Sequence, residues 1–515
     1  MGGVSQFLRS LTYKQTSSNL PTPVLHMTDT TVKTESANGK PEVSIDMGTT
    51  ALEWNGPDDP DNPVNWPKWQ RYWHIVPPAI ISFTATLGSS IYTPAYPIIQ
   101  EEFKQSSTVA LLPFALYVLA LGFGPLIAAP LSETYGRYIV YTVSTPIAAV
   151  FTVGAGFSQN IHSLCVLRFL AGMAFSPSLA IGTGSVGDLT VPEKRAVPSA
   201  LYIMSPFLGP AFGPVIGSIV TVKMSWRWTQ WTLVFFAILS MAVTLLSQET
   251  YKPIILSRRA KRQKISLPSG PSPLAKLSLF LTITLIRPLH MLITEPIVAL
   301  FSLYTGFNFS IIFGFMAAYP YVFRTVYDFD TIPSGLIFLA IGFGGSLAVP
   351  TVLLCDRFLY QPRVRESKAA GRSRAVAPEY RLYPSMIGCF GLPLALFWFA
   401  WTARPSVSWW CPVVASIPFA WGNSTIFISA TAYLLDTYQS LYGASAMAAN
   451  ALVRYTMGAA LPLFTLQMYK GMGIDWATSL LGFVSVVCIP IPWILFFYGH
   501  KIRSRSGYET AKSSV

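Results

Sequence analysis

The chain has 515 residues, of which 52% are hydrophobic, 14% aromatic and only 11% charged. Soluble domains carry roughly 25% charged residues. A chain this poor in charge cannot cover a soluble surface, which excludes a disordered chain, a disulfide scaffold and most soluble enzymes and points to a polytopic membrane protein.

Residues 1–56, rich in Ser, Thr, Asn and Asp, read as a disordered cytoplasmic tail. No basic start followed by an apolar run marks a cleavable signal peptide. Gln6 stands where myristoylation after Gly2 needs Ser or Thr. Residues 57–74 (PDDPDNPVNWPKWQRYWH) set Trp66, Trp69, Tyr72 and Trp73 beside Lys68 and Arg71, an amphipathic juxtamembrane segment suited to the headgroup level. An N-terminal half, 75–248, then holds apolar spans near 75–97, 109–130, 138–157, 163–187, 197–221 and 228–248. Residues 249–290 form a basic cytoplasmic linker containing SRRAKRQK (Ser257–Lys264). A C-terminal half, 291–498, holds spans near 291–318, 332–354, 382–402, 409–432, 444–467 and 477–498, and 499–515 form a cytoplasmic tail. Prolines and glycines inside spans, such as Pro94, Pro113, Pro177 and Gly182, are tolerated where neighbouring helices re-satisfy the backbone. The fold class expected is an all-α membrane protein of 12 transmembrane helices in two six-helix halves.

Charge sets the orientation. With the N-terminus inside, the cytoplasmic loops, the C-terminal tail and the segment before span 1 hold 24 Lys and Arg, eight of them in 249–290 and seven in 355–383. The opposite loops hold six: Lys104, Lys223, Arg227, Arg324, Arg404 and Lys470. This bias predicts both termini in the cytoplasm. It also accounts for the net charge of +13 through a surface of anionic lipid, with no nucleic acid required. The five cysteines are scattered without CxxC spacing, and the five histidines show no metal-ligand spacing. No phosphate loop or nucleophile-plus-base arrangement occurs, so neither ATP-driven export nor an enzyme is expected.

Charges inside spans are functional candidates. Arg168 lies a little over one turn into span 4, and Arg454 about ten residues into span 11. Asp188, Glu295 and Asp436 lie near inner ends. Between spans 2 and 3, LSETYGRY (Leu131–Tyr138) combines Glu133, a turn at Gly136 and Arg137. Charge pairing and helix-dipole contacts there could lock helix ends in one conformation, with Lys194 and Arg195 of the next inner loop as further cations. A counterpart after span 8 is Cys355–Arg357, with Asp356 and Arg357. In span 5, Gly209, Gly213 and Gly217 recur every four residues, a stripe along which a second helix approaches closely, and Pro210 and Pro214 follow two of them.

Taken in order, these pieces resemble the major facilitator superfamily, and closely its fungal twelve-span drug:proton antiporters. The likeness covers about 57–506. Its marks are NPVNWPKWQRYW (Asn62–Trp73), GPLIAAPLSETYGRY (Gly124–Tyr138), Arg168 with Gly172, the Gly209-Pro210 to Gly217 pattern of exporters, WRWTQW (Trp226–Trp231) and QETYKPIIL (Gln248–Leu256). Two departures stand out. The loop 2–3 acid is Glu133 where Asp is commoner, and its final basic position is Tyr138. In span 7, Ala317 stands where many relatives, including polyamine exporters, have an acid, so a neutral or anionic lipophilic aromatic compound fits better than a cation. The resemblance implies pocket residues among Tyr92, Tyr96, Asn308, Trp421, Asn423 and Arg454. It implies a monomer in the plasma membrane, the vacuolar membrane being the alternative. No cofactor is expected, with a proton gradient as the driving force. The function expected is efflux of a self-made secondary metabolite or toxin, such as a cercosporin-like polyketide, with self-resistance. General drug or polyamine export, and nutrient import, are the alternatives.

Overall fold

The computed structural model describes residues 53–191, 196–264, 285–369, 376–508 and 510. The readings for residues 1–52, Lys194, Arg195 and 265–284 fall outside them. Among the described residues every regular element is helical. Eleven helices are long and apolar enough to cross a membrane.

Span 1 is built from Val76–Ser90 and Tyr96–Glu102, joined through the tight turn Thr93–Ala95 beside Pro94. Span 2 is Ser107–Tyr135 and span 3 Arg137–Gly156. Span 4 is Ile161–Phe175 and Pro177–Leu189. Its break falls at Pro177, whose ring removes a backbone donor. Span 5 is Ala196–Lys223 and span 6 Trp228–Leu245. Span 7 is Pro296–Tyr327, span 8 Thr331–Leu336 with Leu339–Cys355 and span 9 Tyr383–Gly388 with Gly391–Thr402. Span 12 is Ile474–Cys488 with Pro490–Arg503.

Spans 10 and 11 need separate comment, because helical hydrogen bonding runs unbroken over Trp410–Ala460. The chain nevertheless reverses inside that run. A Cβ placed on Gly443 would lie 3.6 Å from the Leu435 carbonyl oxygen, whereas eight residues of straight helix advance about 12 Å. The Arg454 guanidinium sits 4.5 Å from the Phe427 ring, a contact that also demands a hairpin. The second arm, continued by Pro462–Met472, is where the sequence places span 11. It falls outside the eleven apolar helices because polar Asn450 and Arg454 interrupt it.

Span 5 holds the halves together. A Cβ on Gly213 would lie 2.8 Å from the Ile91 backbone nitrogen, and one on Gly209 would lie 2.6 Å from that of Leu87, so only a bare backbone lets span 5 seat against span 1. Pro210 and Pro214 lie inside the same helix without ending it. Another face of span 5 meets the other half: a Cβ on Gly335 would be 2.7 Å from the Pro214 carbonyl oxygen, and one on Gly342 would be 2.9 Å from the Ala211 Cβ.

The two ends of the bundle differ. The basic end is the one that carries residues 74, 248, 295 and 503. At the far end one apolar cluster draws on both halves. There Phe114 of span 2 packs on Phe313 of span 7 at 5.9 Å, and Leu111 packs with Ala317 and Leu466. The Gln467 amide lies 2.6 Å from the Thr108 hydroxyl. Toward the basic end each apolar cluster belongs to a single half, one around Tyr433 and Leu495 and others around Tyr141 and Tyr202. Among the described residues no hydrogen bond or ion pair joins the halves at that end.

Gly213→Val should lower the thermal midpoint of the purified protein, at a cost of about 1–3 kcal/mol from overpacking against backbone. Gly471→Ala, whose added Cβ meets nothing within 4 Å, should leave the midpoint in place. Equal midpoints for the two variants would contradict the close seating of spans 1 and 5.

Candidate functional site

The turn between spans 2 and 3 is set by Gly136, at φ +100°. A side chain there would be strained and would collide with the Glu249 carboxylate. Glu249 arrives from beyond span 6 and is 7% exposed. Its Oε1 accepts from the backbone N–H of Arg137 at 3.0 Å, and its Oε2 from that of Tyr138 at 3.2 Å. It also accepts from the N–H groups of Thr250 and Tyr251, both at 3.0 Å. The first N–H groups of a helix lack partners within it, and the helix dipole favours an anion there. Glu249 therefore acts as the missing cap of span 3. The Arg137 side chain reaches Asp188 of span 4 (Nε to Oδ2, 3.3 Å), donates to the Ser132 hydroxyl at 2.6 Å and lies over the Tyr251 ring. Glu133 is exposed and takes no part in these bonds.

The C-terminal half repeats the plan with other residues. Arg381, entering span 9, donates to Asp436 of span 10 (2.8 Å), lies 3.6 Å from Asp356 and stacks on the Tyr360 ring at 3.9 Å. Arg357 is exposed beside Phe358. Where span 3 is tied to the chain after span 6 by Glu249, the start of span 9 is tied to the end of span 12 by a buried pair of reversed sense: Arg503 donates to both carboxylate oxygens of Glu379 at 2.9 Å. Glu295, 2% exposed, caps no charge. It accepts from the Tyr438 and Ser506 hydroxyls and from the Gly507 N–H.

A further ionic cluster uses the linker. Arg259, within SRRAKRQK, forks onto both oxygens of Asp59 at 2.8 Å and also reaches Asp61. Lys252 pairs with Glu53 at 3.4 Å. The juxtamembrane acids thus dock on the helix Lys252–Arg262. The charge-assisted bonds from Arg259 hold the Asp59 carboxyl far below its ordinary 3.8.

The interior holds two arginines. Arg168, 1% exposed, donates to the Gly88 carbonyl at 2.8 Å and lies 3.5 Å from the Gln230 amide oxygen. It stacks on Tyr117 at 4.4 Å and Tyr92 at 5.1 Å. It ties span 4 to spans 1, 2 and 6. Tyr92 is fully buried in the packed core and donates to the Ala110 carbonyl at 2.7 Å. Arg454 sits within 4.7 Å of the Phe309, Phe427 and Tyr455 ring centres. Asn423 donates to the Asn308 carbonyl at 2.7 Å. The Asn308 amide itself, 1% exposed, makes no hydrogen bond of good geometry and faces the Tyr304 hydroxyl one turn away. Trp421 donates to the Thr351 hydroxyl at 2.9 Å, tying span 10 to span 8. Tyr96 lines a cavity of about 170 Å³ at the far end, with Pro214, Tyr321, Arg324, Thr331 and Ser334. The described buried carboxylates, Asp59, Glu249, Glu295 and Glu379, all belong to the basic end. The missed residues Glu249 and Arg381 had a signal: the first stands in the QETYKP run that closes span 6, the second at the place in span 9 that Arg137 holds in span 3.

Two six-span halves, a glycine-lined span 5 and paired charge clamps at one end define a multi-pass membrane transporter. A family profile described as Major Facilitator Superfamily matches residues 79–462, and the chain belongs to that superfamily. It is 38% identical over 485 residues to "Polyamine transporter 4" of Saccharomyces cerevisiae, covering 89% of this chain and 73% of that protein. It is 36% identical to the "Citrinin biosynthesis cluster MFS transporter mrr1" of Monascus ruber, covering 92% and 95%. It is 32% identical to the "Efflux pump radE" of Floropilus chiversii, covering 93% and 92%.

Glu249→Gln keeps shape but loses the charge on the span 3 cap, and should cut transport at least about tenfold at unchanged membrane abundance. Glu133→Gln should leave transport within about twofold, and the reverse ranking would refute the assignment of the cap. The docking of the juxtamembrane segment should follow Asp59. With its carboxyl depressed by Arg259, the stabilisation is complete above the undocked value near 3.8 and declines only in stronger acid. Limited proteolysis between residues 53 and 66 should therefore stay constant from pH 7 to about 4.5 and accelerate in Arg259→Ala at every pH.

Proposed function

We propose that this protein exports a small lipophilic aromatic compound, made by the cell itself, across the plasma membrane by alternating access, with proton influx as the driving force. The observation that carries this reading is the asymmetry of the bundle: among the described residues the two halves share an apolar core at the far end and share no hydrogen bond or ion pair at the basic end. With the basic end in the cytoplasm, as the loop charges direct, this is a carrier open toward the cell interior, the state that loads an export substrate. Relatives named as efflux pumps and as transporters of biosynthetic clusters support a secondary metabolite as cargo and self-resistance as its consequence.

Polyamine export is the second reading, favoured by the 38% identical relative. Position 317 weighs against it. Ala317 is fully buried among Leu111 and Leu466, which leaves a polycation no counter-ion on span 7.

The coupling test uses inside-out vesicles with an imposed proton gradient. Accumulation of aromatic metabolite should follow the gradient and collapse with a protonophore. Arg168→Ala, which removes the donor to the Gly88 carbonyl, should abolish gradient-driven accumulation while the protein stays in the membrane. Accumulation insensitive to the protonophore would overturn proton coupling. Undiminished transport by Arg168→Ala would overturn the role of that arginine.

A further inference from the structure

Two arginines lie in the interior, and their surroundings differ. A carbonyl and an amide oxygen accept from Arg168 and two tyrosine rings close over it, although its Nε is buried without a partner. Arg454 has neither acceptor. It is 9% exposed, no described carboxylate, carbonyl or amide accepts from it, and its Nε is fully buried without a partner. Its one polar neighbour among the described residues is the Tyr455 phenol, a neutral group with which it hydrogen-bonds. The rest of its shell is aromatic: Phe309 at 4.6 Å, Phe427 at 4.5 Å and the Tyr455 ring at 4.7 Å. Ring faces stabilise a cation by about 0.5–2 kcal/mol each. A guanidinium out of water needs several kcal/mol of compensation. The site is one anion short.

Its position is suited to a ligand. Phe309 and Phe427 are only half-buried, and Phe427 meets Phe207 of the N-terminal half at 5.3 Å. Tyr455 packs against Gly122 of span 2. The guanidinium therefore stands between the halves, rimmed by flat apolar faces. At the far end the cavity between spans 1, 5, 7 and 8 is again cationic. Arg324 lines it with Thr331 and with Ser334, whose buried hydroxyl has no partner, and no carboxylate lines it.

We propose that Arg454 is the anion receptor of the transport site, and that the substrate is an aromatic organic acid. Its carboxylate or acidic enol pairs with the guanidinium, and its rings lie between Phe309, Phe427 and Tyr455. The inference rests on the export reading for the direction of movement, and on geometry alone for binding.

The test is therefore a binding measurement on purified full-length protein in detergent. The probes are one- to three-ring aromatic carboxylates, each paired with its methyl ester and its aminomethyl analogue. At least one acid should bind at least about tenfold more tightly than its ester. Arg454→Gln should erase that difference by weakening the acid alone, and Arg454→Lys should restore part of it. Because Arg454 is uncompensated, unliganded Arg454→Gln should melt no lower than the wild type, whereas a merely structural arginine would lower the midpoint on removal. Absence of acid binding across the panel, equal affinity for acid and ester, preference for the amine, or a preference that survives Arg454→Gln would each overturn the proposal. Acid-selective binding without export in vesicles would leave the receptor standing and overturn the export reading instead.

Discussion

A charge in the interior of this bundle has no water to solvate it, and the placement of almost every ionised side chain follows from that constraint. Among the described residues the buried carboxylates are kept to the basic end, and they sit in rings of donors: four backbone N–H groups for Glu249, a forked guanidinium for Glu379, two hydroxyls and an N–H for Glu295. Those donors come from segments far apart in sequence. The acid after span 6 fixes the start of span 3, and the residue that ends span 12 fixes the start of span 9. Each clamp joins helices within one half. That makes each half rigid at its basic end while leaving the two halves free of one another there.

Span 5 supplies the complementary requirement, contact between halves that does not depend on polar bonds. Its glycines let span 1 approach on one side, and its Ala211 and Pro214 meet Gly342 and Gly335 of span 8 on the other. Backbone-to-backbone seating of this kind is short-ranged and apolar. In the proposed alternating access it serves as a pivot: rocking about it breaks the exposed Gln467–Thr108 hydrogen bond and parts the apolar far-end cluster without stranding a buried charge. Pro206, Pro210 and Pro214 inside the helix remove backbone donors at positions where the bundle already tolerates an irregular ladder.

Much of this was legible in the sequence, and the rest has identifiable reasons for being hidden. Apolar run length and loop charge gave the spans, because both act locally and need no partner. Spacing alone gave the glycine stripe of span 5 and the depth of the two arginines. Pairing was not legible. Glu133 and Arg137 are neighbours across a turn, yet Arg137 points to Asp188 and the cap comes from Glu249, because the end of span 6 in space decides which acid meets the span 3 amides. Arg357 follows Asp356 directly, yet Arg381 makes the pair. Tyr92 and Tyr96 lie one turn apart on span 1, and only the packing of span 2 sends the first into the core while the second lines a cavity. The sequence places a break between spans 10 and 11 at 433–443, but that stretch carries no proline and the structure keeps helical bonding through it, so the form of the reversal was hidden.

The difference between the two interior arginines bears on how movement is tied to cargo. Given the anion site proposed for Arg454, rocking that closes the basic end would take an empty site further from water and leave its charge with aromatic faces and one neutral phenol, and desolvating a guanidinium without a counter-charge costs several kcal/mol. A bound carboxylate removes that penalty by supplying the missing partner, and its rings replace water along Phe309 and Phe427. The loaded protein then closes more readily than the empty one. Arg168 contributes no such bias, because the Gly88 carbonyl and Gln230 lie in the same half and move with it. One arginine fixes the architecture of the half that carries it. The other makes the conformational equilibrium depend on whether an anion is aboard.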